Sequence, residues 1–122
     1  MAPINPVFLR QFALTCLVLL VAAIFIGGEQ PGAGSLFPPP WDKAVHITAY
    51  GIIAILAGMA YPNRPLALIL LLTVCIGGSD EIHQIFIPGR HAGFDDLTAD
   101  LVGGLIALPG ITKLRRSFYP FK

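Results

Sequence analysis

"GGSDEIHQIFIPGRHAGFDDLTAD", residues 77–100, holds five of the chain's seven carboxylates and two of its three histidines. Its surroundings are apolar: 55% of the 122 residues are hydrophobic, 12% are charged, and the mean hydropathy is +0.74. That balance belongs to a membrane protein, and 122 residues make one compact unit, residues 1–122, with no added soluble catalytic module. Working outward from the quoted stretch, apolar runs fall at about 66–87 and 96–111, and before them at about 45–61 and 7–26. Each reaches or approaches the roughly 20 residues that a spanning helix needs. The expected fold is therefore all-α, an integral membrane four-helix bundle with short connecting loops. The first run reads as a membrane helix rather than a signal peptide, because Arg10 is its only early positive charge. Between the first two runs, "GGEQPGAGSLFPPPW" (27–41) is too rich in Gly and Pro for regular helix, and Trp41 suits a membrane interface.

Basic residues set the expected orientation. With both termini in the cytoplasm, Arg10, Arg64, Lys113, Arg115, Arg116 and Lys122 lie inside, and only Lys43 and Arg90 lie outside. The loops at 29–44 and 88–95 are then external, and every carboxylate falls towards that side. A net charge of +1 gives no reason to expect nucleic acid as a partner, since no dense basic patch appears beyond a short basic C-terminal tail. Cys16 and Cys75 sit in apolar runs and read as small buried hydrophobes.

Depth makes the acids informative. Residues 66–79 supply only about 21 Å of helix and residues 101–111 about 16 Å, against a hydrocarbon core of about 30 Å. The charges of 80–100 must therefore enter the bilayer and face one another or water. Helical spacing aligns Asp42, His46 and Tyr50 on the second helix and Gly77, Glu81 and Gln84 on the third, with Asp80 and His83 on an adjacent strip. Asp96, Asp100, Gly103 and Ala107 share a face of the fourth, where small residues allow close packing.

Three blocks, "DKAVHITAYG", "SDEIHQIFIPGR" and "FDDLTADLVGG", together resemble the motifs of VanZ-like membrane proteins over about 41–107. The resemblance marks Asp42, Lys43, His46, Glu81, Gln84, Arg90, Asp96, Asp100 and Gly103, with Asp100 standing where the pattern has Asn. It implies a multi-pass protein of the bacterial inner (plasma) membrane and cell envelope. The family's named member is associated with resistance to the glycopeptide antibiotic teicoplanin, which acts on an external wall precursor.

Three chemistries fit these residues. The first is a structural network in which Lys43 and Arg90 neutralise carboxylates and Gln84 and Tyr50 satisfy the rest, with Arg90 pairing Asp95 or Asp96. The second is a ligand-binding pocket formed by Asp42, Lys43, His46, Glu81, Gln84, Arg90, Asp96 and Asp100. Its partners would be membrane lipids, among them a lipid-linked wall precursor. The third is a small membrane-embedded enzyme, a hydrolase or transferase with Glu81 or Asp96 as acid or base, His46 as proton carrier, and Lys43 or Arg90 stabilising negative charge. No metal is assigned; the alternative is a divalent ion held by His46, His83 and one or two carboxylates, and no metalloprotease, nucleophile-elbow or phosphate-loop motif is present. A proton-coupled transporter would also use buried acids, but broken helices are not evident. No cofactor is specified, and an oligomer is compatible with the sequence.

Overall fold

The computed structural model describes residues 4–119, so Lys122 of the basic C-terminal tail lies outside the described residues. Four helices follow one another: α1 (Pro6–Gly28), α2 (Trp41–Ala60), α3 (Leu66–Ile85) and α4 (Phe94–Phe118). One 3₁₀ turn, Ala33–Ser35, interrupts the α1–α2 loop, and the described residues contain no strand. All four helices are long and apolar enough to cross a membrane, and the chain is a multi-pass membrane protein.

Helix α1 starts where Asn5 accepts the Val7 N–H (2.9 Å) and Pro6 occupies the first turn. It buries only Ala13 and Leu17 and leaves Phe8, Val18 and Leu19 exposed, a surface suited to lipid rather than water. The interior lies mainly between α2, α3 and α4, around Tyr50, Ile53, Ala57, Ile69, Ala107 and Ile111. Close approach there depends on glycine. A Cβ at Gly103 would strike the Ile47 carbonyl and come within 3.0 Å of Gly51 N, so α2 and α4 meet backbone to backbone. At Gly104 it would stand 2.8 Å from Leu70 Cδ1, so α3 meets α4 there through the end of a side chain rather than through backbone. The buried stripe of α4 runs Asp100, Gly103, Gly104, Ala107, Ile111, Arg115, with the spacing of one helical face.

Helix ends differ from the sequence expectation. Helix α2 begins at Trp41 rather than near 45, which brings Asp42 and Lys43 into its first turn. Helix α3 stops at Ile85, and Ile87–Arg90 form a turn in which Arg90 N–H donates to Ile87 O (3.1 Å). Pro88 and Gly89 (φ +79°) occupy its central positions, as a type II turn requires. Helix α4 runs through Pro109 to Phe118 instead of ending near 111. Proline removes one ladder bond, but packing beyond it favours continuation: Leu114 and Phe118 lie against the cluster of Ala13, Met59 and Ala60.

That extension brings a basic residue onto the carbonyl end of α2. Arg115 donates through Nε to Gly58 O (3.0 Å), through Nη2 to Tyr61 O (2.9 Å) and through Nη1 to Arg64 O (2.8 Å). The Tyr119 hydroxyl donates to Met59 O (2.9 Å), and Arg10 Nε reaches Ala60 O at 3.4 Å. Carbonyls that a helix C-terminus leaves unpaired thus gain donors, and positive charge sits at the negative end of the helix dipole.

Candidate functional site

The opposite end gathers the acids. His46 lies five residues into α2, Glu81 four residues before the end of α3, and Asp100 six residues into α4. At the rise of a helix these depths are all about 6–9 Å from the helix ends, so the three side chains share one layer.

The outer part of the site is an ion-pair cluster. Lys43 Nζ contacts Asp42 (2.9 Å), Asp95 (2.8 Å) and Asp96, so one ammonium serves three carboxylates. Asp95 and Asp96 also occupy the first turn of α4, where negative charge suits the dipole. Arg90 does not join them. It lines the cavity above, its stem against Gly34, and makes no ion pair among the described residues. The expected Arg90–Asp95 or Arg90–Asp96 pairing is therefore replaced by Lys43, because the turn at 87–90 directs Arg90 towards the α1–α2 loop.

Beneath lies the inner part. His46 Nδ1 and Asp100 Oδ1 share a hydrogen bond of 2.7 Å, and His46 Nε2 is 3.8 Å from Asp96 Oδ1. His46 also stacks on Tyr50, with ring centroids 6.0 Å apart. Asp100 is fully buried and lies over Gly77, where a Cβ would come within 2.5 Å of Oδ2. Glu81 accepts the Gly93 N–H through Oε2 (2.8 Å) and so ties the loop before α4 to α3. Gln84 Nε2 donates to Asp80 Oδ2 (3.1 Å), and the Tyr50 hydroxyl approaches the same oxygen at 3.5 Å. Three buried carboxylate oxygens lack any hydrogen-bond partner among the described residues: Asp42 Oδ1, Glu81 Oε1 and Asp100 Oδ2.

Above the inner layer a cavity of about 630 Å³ opens at this end. Lys43, His46, Asp80, Gln84, Arg90 and Asp96 supply its polar lining, and Ile24, Leu36, Phe37 and Val45 its apolar wall. The structure thus brings Asp42, Lys43, His46, Glu81, Gln84, Asp96 and Asp100 into one region, with Arg90 at its edge.

His83 is elsewhere. Its Nε2 bonds Glu29 Oε1 (2.9 Å) and its ring stacks on Phe25 at 5.1 Å, while His46 groups with Glu81 and Asp100; the His46–His83 pairing considered from sequence is corrected accordingly. Asp80, set beside His83 in the sequence reading, instead turns inward with Gln84. Their spacing of four was the available signal. Glu29 gave no such signal, because its contact depends on how α1 leans on α3.

A chain of four helices, each long and apolar enough to cross a membrane, whose third and fourth bury a carboxylate layer beneath a polar cavity belongs among the small multi-pass membrane proteins. The model of the VanZ/LLP1 family matches residues 7–115, nearly the whole chain, and the protein belongs to that family. No curated protein and no solved structure matches it.

Proposed function

We propose that the cavity binds the charged head group of an envelope lipid or lipid-linked wall precursor at the external face of the bacterial inner membrane, both termini being cytoplasmic. The observation that carries this reading is the pairing of an apolar wall with a mixed-charge floor in about 630 Å³, a volume suited to a head group whose tail stays in the bilayer. Arg90 is the cation to engage phosphate or carboxylate, since Lys43 is already shared among three acids. The surplus of carboxylates favours a ligand that also carries amino or hydroxyl groups. The orientation is supported by Arg10, Arg64, Arg115 and Arg116 falling at the opposite end.

The His46–Asp100 hydrogen bond beside Glu81 favours a second reading, acid–base catalysis on the same ligand. One experiment separates them. Purified protein in lipid nanodiscs is incubated with candidate lipid-linked precursors, and retained lipid and any product are identified by mass spectrometry. Retention without product supports a binding protein, product supports an enzyme, and neither for any precursor overturns the proposal. Arg90→Gln is expected to weaken retention about ten- to hundredfold, the loss of a charge-assisted contact of about 1.5–3 kcal/mol. Orientation is checked with cysteines placed at Ser35 and Ser117 in a background lacking Cys16 and Cys75. Ser35→Cys should react in intact cells and Ser117→Cys only after permeabilisation; the reverse pattern would put the cavity in the wrong compartment.

A further inference from the structure

The inner layer holds one ring nitrogen of His46 and one carboxylate oxygen each of Glu81 and Asp100, all within 4.8 Å of one another. Ligands on opposite sides of a small divalent ion stand about 4.2 Å apart, twice a bond of about 2.1 Å. Glu81 Oε1 and Asp100 Oδ2 are buried and have no partner, although Glu81 is 7% exposed and Asp100 0%. Both residues spend their other oxygen on the protein, Glu81 on Gly93 N–H and Asp100 on His46. Such atoms in a native interior call for a partner that protein groups do not supply.

Charge gives the same answer. Lys43 is committed to Asp42, Asp95 and Asp96, and among the described residues no Lys or Arg lies within 4.0 Å of Asp80, Glu81 or Asp100. A double positive charge held by a neutral imidazole and two carboxylates would compensate the layer. Gly77 makes the space: without a side chain there, the Asp100 carboxylate reaches its position against α3.

We infer that His46, Glu81 and Asp100 form a binding site for a divalent metal ion. One imidazole with two carboxylates and no thiolate suits Zn²⁺ or Mn²⁺ better than a soft monovalent ion. Because His46 lines the cavity while the carboxylates lie beneath it, the remaining coordination positions face the cavity. The site does not depend on which lipid, if any, occupies that space.

The test is calorimetric titration of EDTA-stripped, detergent-solubilised full-length protein with Zn²⁺ alone and with Mn²⁺ alone, beside melting curves with and without the ion. One ion per chain is expected, with a higher melting temperature when bound. Glu81→Gln and His46→Gln should each weaken binding about tenfold or more, since even outer-shell substitutions cost about 10–100-fold. His83→Gln, which alters the separate His83–Glu29 pair, should leave it unchanged. If the site variants do not fold, the absorption spectrum of the wild-type Co²⁺ complex decides, with oxygen and nitrogen ligation and no sulfur charge-transfer band expected. Absence of saturable binding, with an infrared signal for a carboxylic acid shared between Glu81 and Asp100, would overturn the inference. So would binding lost through His83→Gln but kept in Glu81→Gln.

Discussion

The two ends of this bundle both take charge out of water, and they finish the task differently. At the basic end Arg115 finds three backbone carbonyls, Tyr119 a fourth, and Arg10 a fifth at longer range. At the acidic end Lys43 is divided among three carboxylates while Glu81 and Asp100 each keep a buried oxygen without a partner. An unpaired buried polar atom costs about 1–3 kcal/mol, so the acidic end carries an instability that the basic end avoids. The difference teaches which charges hold the fold and which leave room for something else.

The largest stability effect should accordingly come from the basic end. Arg115→Met keeps much of the packing but removes donors from Gly58, Tyr61 and Arg64, and a loss of about 3 kcal/mol or more is expected even if water reaches some of those carbonyls. Arg115→Lys, which retains charge without the fork, should recover only part of it. Thermal or denaturant unfolding in detergent measures both. Wild-type stability in Arg115→Met would erase the contrast between the ends.

Next come the glycine contacts, which divide the middle of the bundle from the acidic layer. Gly103→Ala puts a methyl against the Ile47 carbonyl, where backbone faces backbone, and should cost about 1–3 kcal/mol. Gly77→Ala instead meets the end of the Asp100 side chain, which can rotate away. A smaller stability loss is expected there, together with weakened ion or ligand binding as Asp100 leaves His46. Equal melting losses, with binding intact in Gly77→Ala, would show that Asp100 is not held in a functional position.

Much of this arrangement is legible in sequence because a bilayer imposes a one-dimensional rule. Length and hydropathy are enough to place four helices, since backbone groups in lipid have few alternatives to helix. Spacing by three and four likewise aligns His46 with Asp42, and Glu81 with Gln84. What spacing leaves open is rotation and reach. Asp80 and His83 share α3 three residues apart, and only the contact of His83 with Glu29 and Phe25 sends one outward and the other inward. Pro109, Gly110 and the basic residues after them resemble a helix stop, yet Arg115 finds its acceptors at the end of α2 and in the loop that follows it, Gly58, Tyr61 and Arg64, and the helix continues. Whether Lys43 or Arg90 neutralises Asp96 depends on the turn at Gly89, a local geometry that periodicity does not carry.

A smaller effect is expected for Glu81→Gln. The amide preserves shape and can still accept from Gly93 N–H, while one buried negative charge disappears from a layer that already has too many. The stability change should stay within about 1 kcal/mol of wild type in either direction, whereas ion or ligand binding falls. A drop comparable to that of Arg115→Met, without any binding defect, would make Glu81 a structural member of the network and place both ends on the same footing.

The smallest effect belongs to a pair that sits at the acidic end without belonging to its layer. His83 and Glu29 bond at 2.9 Å, but their side chains are 28% and 55% exposed, and pairs in such surroundings contribute about 0–1 kcal/mol. His83→Phe should preserve the stack on Phe25 while removing both the Glu29 contact and the buried, unpartnered Nδ1. The two losses offset each other, and the melting temperature is expected to remain close to that of wild type. Glu29→Gln should behave alike, and a double-mutant cycle between the positions should return a coupling below about 1 kcal/mol. Measured coupling well above that value, or loss of ion binding in either single variant, would extend the polar network outward to α1. The polar network of the acidic end would then reach α1, which otherwise meets the cavity only through apolar residues such as Ile24.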